Sequence, residues 1–208
     1  MKVLVIGAGN MGSAFVKQLN AANHEVSVTA RDASKAATLA SQYPGVKAVV
    51  PANAAEGKDI IVLATGFADA VGALQFVGNL QGKVVVDITN PLTADYMGLT
   101  VGHNTSASEE IAKAVPQATI VKAFNTLFAQ VLSQGATLNG GKLPVFYASD
   151  SDSAKQSVKT LAESMGFATV DAGGLKNARY LEPLAGLNIY FGYGAGRGTM
   201  VAPAWQGF

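Results

Sequence analysis

The 208-residue chain contains no cysteine. That single absence removes disulfides, zinc–thiolate sites, iron–sulfur clusters and a cysteine nucleophile. Only two histidines are present, which argues against a histidine-rich metal site. Charged residues make up 14% of the chain and the formal net charge is +1, so no bulk basic field exists to draw nucleic acid or an anionic membrane. Long apolar runs are also missing. The most membrane-like stretch, Ile60 to Leu80, is interrupted by Gly66, Asp69, Gly72, Gln75, Gly78 and Asn79. It reads as a buried strand followed by an amphipathic helix, because a membrane span needs roughly 20 mostly apolar residues. The apolar start Val3–Ile6 is too short for the core of a signal peptide, and the expected location is cytoplasmic.

What the chain does have is apolar surface: hydrophobic residues account for 49% of it, enough for a sizeable core. The length suits one domain, or one with a small addition. Short β-rich runs are expected at Val3–Ile6, Glu25–Thr29, Val46–Val50, Ile60–Ala64, Val84–Ile88, Thr119–Ala123, Leu143–Tyr147 and Ala168–Asp171. Several are apolar throughout, as strands covered on both faces require. Helices are expected between them, over Met11–Leu19, Ser34–Gln42, Phe67–Val77, Glu109–Val115, Leu127–Leu132 and Ala154–Met165, with a last one near Leu175–Tyr190. This alternation predicts an α/β fold: a Rossmann-type, doubly wound, mostly parallel sheet with a small C-terminal extension. Residues 1–118 read as the nucleotide-binding core and 119–208 as a smaller substrate and dimerisation region. Ser106 and Glu109 fit a capping box, Asp32 or Ser34 can cap the second helix, and Pro116 ends the helix before it.

The chemistry-bearing motif is Gly7-Ala8-Gly9-Asn10-Met11-Gly12. G-x-G-x-x-G is a weak signal alone, but here it follows an apolar strand and opens a helix. Gly7 allows the tight turn, Gly9 lets the backbone approach a pyrophosphate, and Gly12 lets helix and strand pack closely. The free N–H groups at the helix start then face the phosphates. The end of the second strand selects the cofactor. An acid there would hold the ribose 2′-OH of NAD, but the chain reads Thr29-Ala30-Arg31-Asp32. Arg31, with Lys35 one turn into the next helix, can grip a 2′-phosphate, so NADP(H) is the expected cofactor. Asp32 could hold a ribose only if the strand ends a residue or two later.

Further blocks stand out: Val5-Ile6-Gly7-Ala8-Gly9-Asn10-Met11-Gly12, Thr29-Ala30-Arg31, Val86-Asp87-Ile88-Thr89-Asn90-Pro91-Leu92, Val121-Lys122-Ala123-Phe124-Asn125-Thr126 and Ala178-Arg179-Tyr180-Leu181-Glu182. Through these, over nearly its full length, the chain resembles the NADPH-dependent reductases of the deazaflavin coenzyme F420 and the related oxidoreductase domains of the STEAP metalloreductases. The resemblance implies hydride transfer between NADPH and a flavin-like ring. It also implies that Gly9, Asn10 and Met11 approach the pyrophosphate and that Ala64 and Thr65 pass near the adenosine. Asn90 and Pro91 would lie by the nicotinamide, and Phe124, Asn125 and Thr126 would border the cleft for the second ring. Hydride transfer between stacked rings needs orientation more than an acid or base, so no catalytic residue is assigned.

His24 reads as a turn or packing residue, and His103, in the loop Val101–Thr105, is the one acid–base candidate. Gly192–Gly198 mimics a phosphate loop but follows a helix, so its context fails; Arg197 within it could reach an anionic substrate tail. Leu181, Leu184, Ala185 and Ile189 form a stripe suited to core or dimer packing. The expected partners are a small-molecule redox acceptor, coenzyme F420 or a flavin, and a second copy in a homodimer, with neither nucleic acid nor membrane. Two other readings stay open: an NADPH-dependent flavin, ferric or quinone reductase, and a non-catalytic NADP(H)-binding redox sensor.

Overall fold

A computed structural model describes residues 1–205. The chain alternates strands and helices in the order β1 (Lys2–Ile6), α1 (Asn10–Ala21), β2 (Glu25–Thr29), α2 (Ala33–Ser41), β3 (Lys47–Ala48), β4 (Ile60–Leu63), α3 (Phe67–Phe76), β5 (Val84–Asp87), α4 (Ala107–Ala114) and β6 (Thr119–Ala123). It continues through α5 (Ala129–Gln134), β7 (Thr137–Leu138), β8 (Gly141–Lys142), β9 (Pro144–Ala148), α6 (Asp152–Ser164), β10 (Ala168–Asp171) and α7 (Ala178–Ile189). Eight strands form one sheet in the order β10-β9-β6-β5-β4-β1-β2-β3. From β3 to β6 every pairing is parallel, in the 3-2-1-4-5-6 order of a doubly wound nucleotide-binding sheet.

The apolar strands earn their place by being covered twice. β4 is Ile-Ile-Val-Leu and all four residues are buried. Val3, Val5, Val62, Val86 and Val121 turn to the face packed by Phe15, Val16 and Leu19 of α1 and by α5 and α6. Leu4, Ile61, Leu63 and Val85 turn to the other face, under Ala70 and Leu74 of α3 and Ile111 of α4. The period of two along each strand thus divides one apolar run between two helix layers.

The expected mostly parallel Rossmann-type sheet is what the chain forms. Its strand and helix assignments differ in detail. β3 is reduced to Lys47–Ala48, both exposed, because an edge strand with no second neighbour needs little length. β9 runs antiparallel to β6, paired through Lys122–Ala148 and Ala123–Tyr147. The hairpin β7–β8 has no apolar alternation to announce it. The last helix begins as a 3₁₀ turn over Leu175–Asn177 and ends in a π turn over Tyr190–Gly194. The sheet runs unbroken across residue 118, and β6, β9 and β10 extend it. Asp32 is the cap of α2, its carboxylate accepting from Ser34 N–H at 3.0 Å, so Ser34 lies inside the helix. At α4, Ser106 accepts from Glu109 N–H, but Glu109 does not return the bond to the Ser106 N–H. Its carboxylate takes the Ser106 hydroxyl and the Arg179 guanidinium instead. No helix among the described residues is long and apolar enough to cross a membrane.

Candidate functional site

The sheet reverses its winding between β1 and β4, and loops leaving the carboxyl ends of these strands open a crevice there. Gly7 is the first residue after β1. Its N–H donates to Thr29 C=O at 2.8 Å, and its φ of +117° is open to glycine. A Cβ on Gly7 would lie 2.3 Å from the Ala64 carbonyl oxygen, and one on Gly12 would lie 1.9 Å from the Gly7 carbonyl oxygen. Both glycines are therefore required for the turn to close on β4 and α1. Gly9 differs: a Cβ there would meet nothing within 4 Å, so its bareness serves the crevice and not the packing.

A cavity of about 680 Å³ lies over this turn. Its wall includes Gly7, Gly9, Thr29, Ala30, Arg31, Lys35, Ala64 and Thr65, together with Asp69, Gly72 and Phe76 of α3. The two basic side chains stand at one rim, exposed, and Arg31 lies 3.7 Å from Asp69 across it. Asp32 has its carboxylate committed to α2, where the Ser34 hydroxyl and N–H hold its pKa below the ordinary carboxylate value. That engagement uses Oδ1 alone, and Asp32 remains exposed on the wall of the same cavity.

A second cavity, of about 210 Å³, continues from the start of α1. Asn10, Met11, Ile88, Asn90, Asn125 and Thr126 line it, and α7 closes it with Asn188 and Ile189. Asn90 and Asn125 are joined side by side: Asn90 Nδ2 donates to Asn125 C=O and Asn125 Nδ2 to Asn90 Oδ1, each at 2.9 Å. Pro91 is buried beside the cleft and absent from its wall. Its carbonyl accepts the Thr100 N–H and so anchors the 92–100 loop.

Phe124 requires a correction. Its side chain does not border the cleft but is fully buried in the core, edge-on to Phe15 and Phe167. Its φ of +60° is left-handed, which is rare for a bulky residue. That backbone turn keeps the ring in the core and delivers the next two residues to the cleft.

Beneath the cleft lies a buried ionic cluster whose residues sit in the blocks singled out from the sequence but had no role there. Lys122 Nζ lies 2.8 Å from Asp87 Oδ2, 2.9 Å from Glu182 Oε1 and 2.6 Å from Thr89 C=O, so all three of its protons are used. Asp87 also accepts from Ser108 Oγ and Thr89 N–H. Glu182 accepts from Ala107 and Ser108 N–H at the start of α4. Burial pushes the Glu182 carboxyl above its ordinary pKa, against the pull of Lys122. The cluster ties β5, β6, α4 and α7 together directly under Asn90. A lysine inside the buried strand Thr-Ile-Val-Lys-Ala was the signal for it, since a charge in a strand covered on both faces must have a partner.

The two histidines lie apart. His24 bonds to the N-terminus and to Ser164 at the far end of the sheet, where burial lowers its pKa. His103 is exposed at the mouth of a separate cavity between the 92–103 loop and α7. In the tail, Gly192 is packed against Phe128, whose ring a Cβ would strike at 2.5 Å. Arg197 stands over Phe191 at 6.0 Å. Tyr96, Leu127, Phe128 and Tyr193 also line the cleft, contributed by segments whose sequence gave no sign of it.

Residues 2–91 match the family described as NADP oxidoreductase, coenzyme F420-dependent. An F420-dependent NADP reductase from Methanothermobacter marburgensis is 31% identical over 210 aligned positions, covering 91% of this chain and 91% of that protein. A crystal structure of a candidate F420-dependent NADP-reductase from Arthrobacter sp. FB24 superposes with a TM-score of 0.87 at 30% identity, over 99% of this chain and 100% of that one. Metalloreductase STEAP3 from Rattus norvegicus is 28% identical over 88% of this chain, but the chain spans only 36% of that protein's length.

Proposed function

Because this chain belongs to the family of coenzyme F420-dependent NADP oxidoreductases, we propose that it transfers a hydride between NADP(H) and a flavin-like acceptor of the F420 type. It is an NADP-dependent oxidoreductase; the acceptor and the residue roles are the proposed part. The observation that carries the reading is the crevice at the winding reversal, where a glycine turn and two cations meet.

The residues present fit the dinucleotide. Gly9 leaves open space over the start of α1, where Asn10 and Met11 offer unpaired helix N–H groups to a pyrophosphate. Gly7 and Gly12 hold that turn in shape. Arg31 and Lys35 take the 2′-phosphate, Ala64 and Thr65 flank the adenosine, and Asn90 beside Pro91 holds the nicotinamide end. Asn125 and Thr126 border the place of the acceptor ring. When bound, NADPH supplies the hydride. The protein orients the two rings and excludes water from between them, which is the larger part of the barrier in a direct transfer.

Arg31→Ala is expected to weaken NADPH binding by tens-fold while leaving NADH nearly unaffected, since charged hydrogen bonds of this kind contribute roughly 1.5–3 kcal/mol each. Parallel titrations of both cofactors against both proteins measure it. Equal affinities in the wild type would refute the 2′-phosphate assignment. The same preparations, assayed for NADPH oxidation with F420, with free flavin and with ferric chelate, identify the acceptor. The STEAP3 relative is the observation that keeps flavin or ferric iron as the second reading.

Residues 119–208 are proposed to serve the acceptor and pairing of two chains. Tyr180, Leu187 and Tyr190 are at least half exposed along α7 and its extension, a concentration of apolar surface that a homodimer would cover. Sedimentation velocity is expected to give twice the chain mass of 21.3 kDa. A monomer at micromolar concentration would dismiss the pairing.

A further inference from the structure

The wall of the larger cavity carries four charges that sum to zero. Arg31 and Lys35 stand against Asp32 and Asp69, and all four are exposed on it. A phosphate monoester brings a charge of about −1.5 to −2 at pH 7. The two cations attract it and the two carboxylates oppose it, so the acids need a reason to be there.

For Asp32 the reason is local, since it caps α2. Asp69 has no such task, because the cap of α3 is Gly66. Asp69 shares one face of α3 with Gly72, Ala73 and Phe76, at spacings of three, four and seven residues, and that face is a wall of the cavity. From there its Oδ1 reaches to 3.7 Å from Arg31 Nη1. The helix dipole favours an acid in the first turn, which accounts for a carboxylate on α3 but not for its pairing with the only arginine of the cavity wall. The pair is easily exchanged: the Arg31 side chain is 91% exposed and that of Asp69 is 64% exposed, so water competes for both. A phosphate can meet the fork of a guanidinium with two oxygens at once, so it displaces a single carboxylate oxygen. The displaced carboxylate stays on α3, well inside the screening length of about 10 Å at 0.1 M salt, and now faces a like charge.

We propose that Asp69 limits how tightly the site holds NADP(H): it pairs with Arg31 while the cofactor is absent, yields Arg31 to the 2′-phosphate, and then repels that phosphate. It is a specificity-determining residue that works against the preferred cofactor. It weakens NADPH, leaves NADH alone, and keeps the bound cofactor exchangeable. The inference rests on the NADP(H) reading and adds to it the residue that opposes the two cations.

The test is calorimetric titration of the whole chain with NADPH and with NADH, for the wild type, Asp69→Asn and Asp69→Glu. Asp69→Asn keeps the shape and removes the charge. It should bind NADPH about three- to fivefold more tightly than the wild type at low salt and bind NADH as the wild type does. Asp69→Glu keeps the charge and should stay within about twofold of the wild type for both cofactors. Raising the salt from about 0.01 M to about 1 M shortens the screening length from about 30 Å to about 3 Å, and the gain in Asp69→Asn should vanish over that range. NADPH affinity in Asp69→Asn at or below that of the wild type, a gain shared equally by NADH, or a gain that salt does not alter would overturn the proposal. A lower thermal midpoint in Asp69→Asn with neither affinity moved would also overturn it, leaving the acid to the dipole of α3. The underlying reading fails in a different way: a wild type that binds NADPH no more tightly than NADH overturns the 2′-phosphate assignment itself, and the role of Asp69 with it.

Discussion

Lys122→Met is expected to destabilise the folded chain by about 3–5 kcal/mol, because it leaves the Asp87 and Glu182 carboxylates buried and facing each other with no cation between them. For a chain of this length that corresponds to a thermal midpoint lowered by roughly 10 °C. Methionine fills most of the lysine volume, so a cavity is not the cause of the loss. The pH dependence separates the electrostatic origin from any packing defect. Burial already holds the Glu182 pKa above its unfolded value. A carboxyl of that kind favours the folded state while protonated and opposes it as the pH rises from the unfolded pKa through the folded one. Without Lys122 the folded pKa moves higher still. The gap between variant and wild type should therefore narrow as the pH is lowered from 7 toward 5, and a gap independent of pH would point to packing instead. A midpoint within two or three degrees of the wild type at pH 7 would mean that the cluster is not what joins α7 to the sheet.

The second large effect concerns two glycines that are chemically alike and structurally opposite. In Gly12→Ala the new methyl group would stand 1.9 Å from the Gly7 carbonyl oxygen, so α1 must move away from the turn. Displacement of about 1 Å at a phosphate cradle costs of the order of a hundredfold in productive binding, and here both NADPH affinity and thermal stability should fall. In Gly9→Ala the methyl group meets nothing within 4 Å of the protein, so the fold should melt at the wild-type temperature. In the proposed binding mode the methyl lies in the path of the pyrophosphate, so NADPH binding should still fall. Calorimetric titration beside a thermal melt of each variant makes the comparison. Full NADPH affinity in Gly9→Ala would remove the pyrophosphate from this turn.

The two experiments address separate layers of the same site. The glycine turn is a steric device that lies at the surface of the sheet. The Lys122 cluster is an electrostatic device one layer below, and it acts on the cleft through Thr89, whose carbonyl it holds, and through α7, whose Leu181 carbonyl in turn orients Asn125. Loss of the first should abolish cofactor binding. Loss of the second should loosen the whole C-terminal half.

How much of this was legible in the sequence follows from the range over which each feature is decided. The glycine turn, the strand before it and the helix after it are largely local: the steric demand at Gly12 comes from Gly7 within the motif, whereas the demand at Gly7 comes from Ala64 at the end of the neighbouring strand. The basic pair Arg31 and Lys35 is equally local, one helical turn apart. Alternation of apolar strands with helices sufficed for the doubly wound sheet, because each strand must be covered on both faces and each helix has one face to give. The sequence alone therefore determined the fold class and the position of the glycine turn, and it raised the expectation of a 2′-phosphate beside that turn. Tertiary structure alone decided the rest. Phe124 belongs to the core because a left-handed turn sends its ring toward Phe15, which no periodicity encodes. Lys122 finds its partners 35 residues back at Asp87 and 60 residues on at Glu182, and Asn125 is oriented by a carbonyl 56 residues away. Charge neutralisation and hydrogen-bond polarity are set by such distant partners, so the glycine cradle could be read from the chain while the cleft beside it had to be seen folded.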